Sequence, residues 1–441
     1  MKQLLIPLFL LSSLALSCKK TNPDYQKTAS DATFLRKTEV KVTEVMVHDI
    51  FSPPVASRIY VYASLAAYEA LVPSNPQYRS MAGQIKGLHE CPKPEAGKDY
   101  VPAIASAEAF LKIGKTLTFS ADMYPEFDKS VQTQYDAIGV PNEVLENSIK
   151  YGDAVAEHIL DFSKKDNYKQ TRGFRHTVTN QEGTWTPTPP AYMDAVEPNW
   201  RKIRPMTLDT ASQFAPPPPY KYNMTDKNGP YYKQVMDAYT TVKNLTDEQR
   251  NIANFWDCNP FKMNVTGHAM FATKKISPGG HWMSIVGQIT RQQKSTPIQT
   301  AEAYLLTSLS IFDGFISCWD EKYRSVTIRP ETVINNKVDK DWQPTLQTPP
   351  FPEYTSGHSV ITGAASVALG SLFGKNFAFT DSTEVRFGLP VRQFKSFEQA
   401  ASEASISRFY GGIHFRPALD EGLKQGQRVG EWVLQKVKTR K

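Results

Sequence analysis

Arginine and histidine side chains with the chemistry to bind an oxyanion stand close together in the last tenth of the sequence. Arg408 and His414 lie six residues apart, with Gly411 and Gly412 between them. On an unbroken helix such a pair would point in different directions, but glycine readily takes the left-handed conformation that ends a helix. We therefore predict a helix over Ala401–Phe409, after which the chain turns back towards Arg408. A guanidinium fork beside an imidazole suits a tetrahedral oxyanion, although such a pair taken alone is more often structural.

A second basic pair lies earlier in the chain. Lys322 and Arg329 are seven residues apart, which is two helical turns, so both side chains would project from one helix face. Pro330 disfavours helical geometry at the residue before it, which predicts that the helix ends at about Arg329. A solvated basic face would give the same pattern, so this pair alone does not identify a site.

The third segment whose residues could bind an anion or transfer protons reads Thr355-Ser356-Gly357-His358. It precedes a stretch of small and apolar residues. That stretch predicts a buried helix, with Thr355 or Ser356 as its N-cap. The N–H groups of a first helical turn bind anions, and Gly357 would let an anion come close. His358 would then lie beside the anion. An ordinary capped helix with a histidine in its first turn would also fit this segment.

Together, the three segments resemble the signature of the type 2 phosphatidic acid phosphatase and vanadium-dependent haloperoxidase superfamily. The matching blocks are Lys-x6-Arg-Pro, Ser-Gly-His and Ser-Arg-x5-His, which run from Lys322 to His414. From about His48 onwards, the chain resembles the soluble bacterial haloperoxidase-like branch of that superfamily. The resemblance implies an all-α fold, a helical bundle of the haloperoxidase and acid phosphatase type.

The resemblance also implies roles for individual residues. His414 would be the vanadium ligand in a haloperoxidase, or the nucleophile that accepts a phosphoryl group in a phosphatase. His358 would be the general acid–base, a task for which imidazole is well suited near neutral pH. Five residues would bind the oxygens of vanadate or phosphate: Lys322, Arg329, Ser356, Gly357 and Arg408.

The sequence departs from the pattern of the relatives at two positions. Thr355 stands where many relatives have proline, and Ala418 stands where relatives often have aspartate. Asp420 is the nearest carboxylate in sequence, so the partner that fixes the tautomer of His414 is not identified. Asp257 lies in an aromatic-Asp segment similar to one in the relatives, and by that match it would orient Arg408 or His358.

Three functions follow from these observations. The leading hypothesis is a haloperoxidase that binds vanadate as its cofactor and oxidises halide with hydrogen peroxide. The first alternative is an acid phosphatase without a cofactor, in which a phosphoester would form a phosphohistidine on His414. The second alternative is an anion-binding protein without turnover, since Thr355 and Ala418 depart from the pattern. Spacing alone does not identify the halide or the phosphoester.

The first residues are typical of an export signal rather than of a folded element. Lys2 precedes an apolar run over 4–16, and Cys18 stands where a bacterial lipoprotein is cleaved and lipidated. We therefore interpret residues 1–18 as a lipoprotein-type signal peptide and residues 19–37 as a polar tether. The protein would be exported and held on a membrane through Cys18, facing the periplasm or the cell surface. Plain secretory cleavage is the alternative.

The remaining chain divides into three parts by composition. Helical periodicity predicts an N-terminal helical part over 38–164 and a C-terminal helical part over 231–441 that carries the signature. Residues 165–230 are rich in proline, which excludes a regular helix, and they also contain Trp185 and Trp200. We interpret them as an ordered segment that wraps across the bundle, because the aromatic side chains need burial. A disordered linker is the alternative. Strand signals are sparse, which again favours an all-α fold.

Composition excludes several other classes of function. The formal net charge of +7 is a mild excess without a concentrated basic block, so we expect no nucleic-acid partner. The three cysteines after Cys18 are an odd number, which permits one disulfide at most among Cys91, Cys258 and Cys318. His268 and His281 lack a recognised metal-ligand spacing, so no zinc site is expected, and His281 is interpreted as a helix-start residue.

Overall fold

The computed structural model describes residues 22–441. The predicted signal peptide and its lipid acceptor Cys18 lie outside these residues. Within the described range the chain is mostly helical, with two short antiparallel hairpins, so the prediction of an all-α helical bundle is confirmed. None of the described helices combines the length and the apolar character needed to cross a membrane.

The described chain up to Ser163 contains six α-helices, several of which begin with proline. Proline suits a first helical position because its φ is already helical and its missing N–H would have no intrahelical partner there. The helices are α1 (Tyr25–Ala29), α2 (Thr33–His48), α3 (Pro53–Leu71), α4 (Pro102–Leu117), α5 (Pro125–Ile138) and α6 (Asn142–Ser163).

The described chain after Ser163 contains nine further α-helices and four short strands. The helices are α7 (Tyr168–Thr171), α8 (Pro230–Lys243), α9 (Asp247–Phe255), α10 (Pro278–Gln292), α11 (Pro297–Ser325), α12 (Pro330–Lys337), α13 (Gly357–Phe373), α14 (Phe397–Tyr410) and α15 (Arg416–Lys436). The strands are β1 (Lys262–Thr266), β2 (Ala269–Thr273), β3 (Phe379–Asp381) and β4 (Arg392–Phe394). β1 pairs with β2, and β3 pairs with β4, both antiparallel.

The predicted polar tether over 19–37 is wrong for its described part. α1 and the start of α2 occupy much of that range, and Ala29, Phe34 and Leu35 are buried. The ring of Phe34 packs 4.7 Å from that of Tyr135 in α5. The helical body therefore begins before residue 38. The short apolar face of these helices was not recognised in the sequence, because most of the neighbouring residues are polar.

Among the described residues, the largest of four hydrophobic clusters joins the two helical parts and extends from Leu35 to Val437. α3 is buried along its whole length and packs against α4 and α11. α11 and α15 in turn pack against α13. The contact between α13 and α15 is very close, because a Cβ added at Gly426 would overlap the carbonyl oxygen of Val360.

The proline-rich residues 165–230 are ordered against this body. Trp185 and Trp200 are fully buried. The buried carboxylate of Asp313 in α11 accepts hydrogen bonds from the N–H groups of Met206 and Thr207, both at 2.8 Å. These contacts fix the segment across α11, the helix that carries the first residue of the signature.

Candidate active site

Lys322 and Arg329 come from different elements, contrary to the prediction that they share one helix face. Lys322 lies in the last turn of α11, which ends at Ser325, and Val326 then takes a left-handed conformation with φ 47°. Arg329 is the N-cap residue of α12. The helix ends early because the proline-rich segment pairs with the chain there, and the backbone N–H of Trp185 donates to the Val326 carbonyl at 2.9 Å.

Arg408 and His414 are brought together by the turn that their glycines predict. The predicted helix over Ala401–Phe409 lies within α14, whose last turn carries Arg408. Gly411 keeps a right-handed φ of −66°, and Gly412 takes the left-handed value of 73°. His414 follows at once and is buried just before α15.

The Ser-Gly-His segment forms the start of α13. Ser356 is its N-cap, and its hydroxyl oxygen accepts from the Ser359 N–H at 3.4 Å. The Val360 N–H donates to the Ser356 carbonyl at 3.1 Å. The first N–H groups of a helix have no intrahelical acceptor, so those of Gly357 and His358 are available to an anion.

The tautomer of His414 is set by Glu353, a residue to which the sequence assigns no role. Nδ1 of His414 lies 2.9 Å from Oε1 of Glu353, which also accepts from the Phe415 N–H at 3.0 Å. Nε2 lies 3.1 Å from Nη1 of Arg329. Because guanidinium only donates, Nε2 must be the acceptor and Nδ1 must carry the proton. Asp420, the carboxylate suggested by sequence, is exposed.

Several groups shift the proton affinities of this pair. Burial, followed by the charges of Arg329 and Lys322, lowers the pKa of His414 well below its ordinary value. Burial raises the pKa of Glu353 to about 7, although the charge of Arg329 and the Phe415 N–H oppose this. At neutral pH the imidazole is therefore neutral, with a lone pair on Nε2.

The buried cations Lys322 and Arg329 are held by neutral carbonyl oxygens. Nζ of Lys322 donates to the carbonyls of Pro352 and Glu353, at 2.8 and 3.0 Å. Arg329 donates from Nε to the Phe351 carbonyl at 2.8 Å. Burial lowers the pKa of Lys322 to about 7 and that of Arg329 to about 9. Carbonyl partners do not neutralise charge, so both side chains remain ready to stabilise an anion.

Arg408 is held mainly by the backbone. Its Nη1 donates to the Trp256 carbonyl at 2.6 Å, whereas its Nη2 lies 4.0 Å from Oδ1 of Asp257. Asp257 has a nearer partner in Lys275, whose Nζ lies 2.6 Å from Oδ2. Asp257, which was predicted to orient Arg408, therefore makes only a long contact with it. The Trp256 carbonyl is the nearer partner of Arg408.

His358 carries a basic nitrogen without a partner. Burial lowers the pKa of His358 well below its ordinary value, and the charges of Arg408 and His281 lower it further. A hydrogen bond with the Trp256 backbone involves one ring nitrogen, and Nε2 has no partner among the described residues. Nε2 is thus the atom at which His358 can accept or release a proton.

A small cavity of about 30 Å³ lies beside some of these groups, but Lys322, Arg329 and Ser356 are not among its lining residues. Gly357, His358, Arg408 and His414 line it together with the rings of Trp319 and Phe351. Nζ of Lys322 and Cζ of Arg329 each lie 5.1 Å from the centre of the Phe351 ring. Among the described residues, Arg329 Nη2 and Arg408 Nε also lack hydrogen-bond partners. These orphaned donors, three buried cations and one imidazole lone pair suit a small tetrahedral oxyanion.

The chain was compared with known families and structures. Residues 302–440 match the family model described as the second helical-bundle domain of VCPO. A search of the curated proteins found no match.

Solved structures give a longer match. The crystal structure described as the first bacterial vanadium-dependent iodoperoxidase has 46% sequence identity and a TM-score of 0.87. It covers 93% of this chain, and 98% of its own chain is matched. The holo-type and apo-type structures of a bacterial vanadium-dependent chloroperoxidase have 18% identity, with TM-scores of 0.66 and 0.65. Both cover 88% of this chain, with 93% and 95% of their own chains matched, and they show the fold alone.

Proposed function

Because this chain belongs to the bacterial vanadium haloperoxidases of the type 2 phosphatidic acid phosphatase and haloperoxidase superfamily, we propose that it is an enzyme that oxidises iodide with hydrogen peroxide and binds vanadate beside His414. The observation that carries this proposal is Nε2 of His414, a neutral acceptor beside the cavity that Glu353 keeps in the required tautomer. Arg329 donates to this nitrogen at 3.1 Å and would transfer that hydrogen bond to a vanadate oxygen, while Arg329 Nη2 and Arg408 Nε lack partners among the described residues.

The donor set fits vanadate in charge and in hydrogen-bonding capacity. Vanadate, when bound, supplies a Lewis-acidic centre that activates peroxide towards halide without changing its own oxidation state. Nε2 of His414 would be its protein ligand. Lys322, Arg329 and Arg408 would hold its oxygens, with further hydrogen bonds from the Ser356 hydroxyl and the Gly357 N–H. The hydration that vanadate loses on entry would then be offset by cations already held close by, although Arg329 must give up its hydrogen bond to Nε2 of His414.

His358 would accept and then release the proton of the incoming peroxide. Its lowered pKa leaves Nε2 unprotonated at neutral pH, so this nitrogen can accept a proton as hydrogen peroxide enters. The same atom could return that proton to the oxygen that leaves as water. The Trp256 backbone holds the imidazole while this happens.

The proposal of iodide as the halide has two supports. The similar structure with 46% identity is described as an iodoperoxidase. In addition, Phe261, Trp319 and Phe351 give the cavity an apolar wall. Iodide is large and weakly hydrated, so it loses less hydration on entering such a wall than a smaller halide does.

One experiment separates this function from the phosphatase and the binding protein. The full chain, freed of metal and phosphate, is assayed with vanadate, peroxide and iodide or bromide, and in parallel with p-nitrophenyl phosphate. Iodide oxidation that appears only with vanadate supports the proposal. Phosphoester turnover inhibited by vanadate would instead indicate the phosphatase. Vanadate binding without either activity would indicate a binding protein and would refute the proposed enzyme activity.

We also propose that the protein is exported and anchored through lipidated Cys18. The support is the sequence alone, with its short apolar run before the cysteine. Metabolic labelling with a fatty-acid analogue is expected to label the full-length chain and to fail with Cys18→Ala. A labelled alanine variant, or an unlabelled wild-type chain in the membrane fraction, would contradict this anchor.

A further inference from the structure

A second cluster of metal-ligating side chains lies beside the cavity and takes no part in the proposed reaction. It consists of Cys258, His281 and Glu384, all buried. They come from three separate segments: the chain after α9, the first turn of α10 and the turn after β3. Only the folded chain therefore brings their thiol, imidazole and carboxylate together.

The three ligand atoms have the spacing of one metal coordination sphere. Nδ1 of His281 lies 3.3 Å from Sγ of Cys258 and 3.1 Å from Oε1 of Glu384. Sγ and Oε1 are 3.9 Å apart. Zinc bonds of about 2.0–2.3 Å in a tetrahedral arrangement separate such atoms by about 3.3–3.6 Å. One ion at the centre of this triangle would reach all three atoms with small adjustments.

The other nitrogen of His281 has the partner that a metal-bound imidazole normally has. Nε2 lies 2.7 Å from Oδ2 of Asp381, which is fully buried at the end of β3. A carboxylate in this position fixes the ring orientation and leaves Nδ1 to the metal. Without a cation, His281 would form ion pairs with Asp381 and Glu384, and Sγ of Cys258 would accept a hydrogen bond from Nδ1. A bound cation would replace the proton on that nitrogen.

We propose that Cys258, His281 and Glu384 bind one zinc-type divalent cation, with Asp381 orienting His281. Three protein ligands leave the fourth position for a water molecule, and Cys258 itself borders the cavity from which water can come. On binding, the thiol proton of Cys258 passes to solvent and the thiolate sulfur bonds the ion. Histidine spacing alone did not predict this site, because two of the ligands are not histidines.

The cation would make His281 and the adjoining Trp256, which supports the oxyanion pocket, more rigid. The ring of Trp256 stacks on that of His281, with centroids 4.5 Å apart and planes 25° apart. The carbonyl of Trp256 in turn accepts from Arg408. Fixing His281 thus fixes the residue that holds Arg408.

Metal content and cobalt spectroscopy test the proposal without any assay of activity. The untagged full chain is dialysed against zinc, washed, and analysed by elemental mass spectrometry, with one zinc per chain expected. Replacement by cobalt is expected to give the near-ultraviolet sulfur-to-cobalt charge-transfer band of a thiolate ligand. A folded wild-type chain that holds less than a tenth of an equivalent of zinc and shows no such band would overturn the proposal.

Variants locate the ion. Cys258→Ser is expected to abolish the charge-transfer band, and the nearly isosteric Glu384→Gln is expected to weaken zinc binding at least about tenfold. Cys91→Ser, which removes a thiol outside the cluster, and His414→Ala are expected to keep both the zinc and the band. Circular dichroism identifies the variants that are folded. A band that persists in folded Cys258→Ser, or is lost in folded Cys91→Ser, would refute the assignment.

Discussion

Oε1 of Glu353 lies 2.9 Å from Nδ1 of His414, and this contact decides which ring nitrogen can meet a ligand. Arg329 donates to the opposite nitrogen at 3.1 Å, so both sides of the imidazole are assigned by their partners. The carboxylate therefore affects vanadate binding by orienting the histidine, without contacting the vanadate itself.

The first prediction concerns this positioning role. Glu353→Gln keeps the shape of the side chain and an acceptor for Nδ1 but removes the carboxylate charge, so the imidazole keeps its tautomer and loses part of its basicity. We expect vanadate affinity, measured by isothermal titration calorimetry, to fall about 10- to 100-fold. Asp420→Asn is the matched control, because this exposed carboxylate should leave the affinity unchanged. Equal effects of the two substitutions would contradict the role of Glu353.

The second prediction concerns His414 itself. His414→Ala removes the nitrogen proposed to bind vanadate, so vanadate-dependent iodide oxidation should fall below detection. His268→Ala changes an exposed histidine in the turn between β1 and β2 and should retain full activity. Steady-state rates with saturating peroxide provide the comparison. Substantial vanadate-dependent activity in folded His414→Ala would rule out the proposed ligand.

The third prediction concerns pH. Burial lowers the pKa of Lys322 to about 7 and raises that of Glu353 to about 7, so both groups lose a proton as the pH rises through neutrality. Each loss makes the pocket less positive. Anion affinity should therefore be highest below neutral pH and fall above it, by up to about tenfold per pH unit for each proton taken up on binding.

Tungstate is a suitable probe for this measurement, because it keeps one protonation state across the range. Lys322→Met should bind it more weakly and with a shallower dependence on pH. An affinity that rises above neutrality in the wild-type protein would show that these two groups do not govern binding.

The fourth prediction concerns the packing of α15 on α13. Gly426→Ala forces a Cβ into the Val360 carbonyl and should lower the free energy of unfolding by about 3 kcal/mol. Gly370→Ala is the control within α13, since an added Cβ there meets no atom within 4 Å. It should raise stability by about 0.5–1 kcal/mol, because alanine loses less backbone entropy in a helix. Urea unfolding measures both, and similar values would contradict the close approach.

Most helices could be predicted from the sequence, because helices depend on local periodicity. The signature residues could be identified because they lie in short motifs. The position of Arg329 was predicted wrongly, since the end of α11 depends on a pairing with the distant Trp185 segment. Glu353 was missed for a similar reason. Its partner His414 is 61 residues away, and no local pattern marks that contact.

The burial of α3 has a consequence for biosynthesis. Every residue of this helix is buried, and one of its main neighbours is α11, which is translated much later. A nascent chain that stops between the two helices leaves α3 without its partner and open to unwanted association. A chain that ends before α11 is therefore expected to leave the apolar surface of α3 exposed and to self-associate.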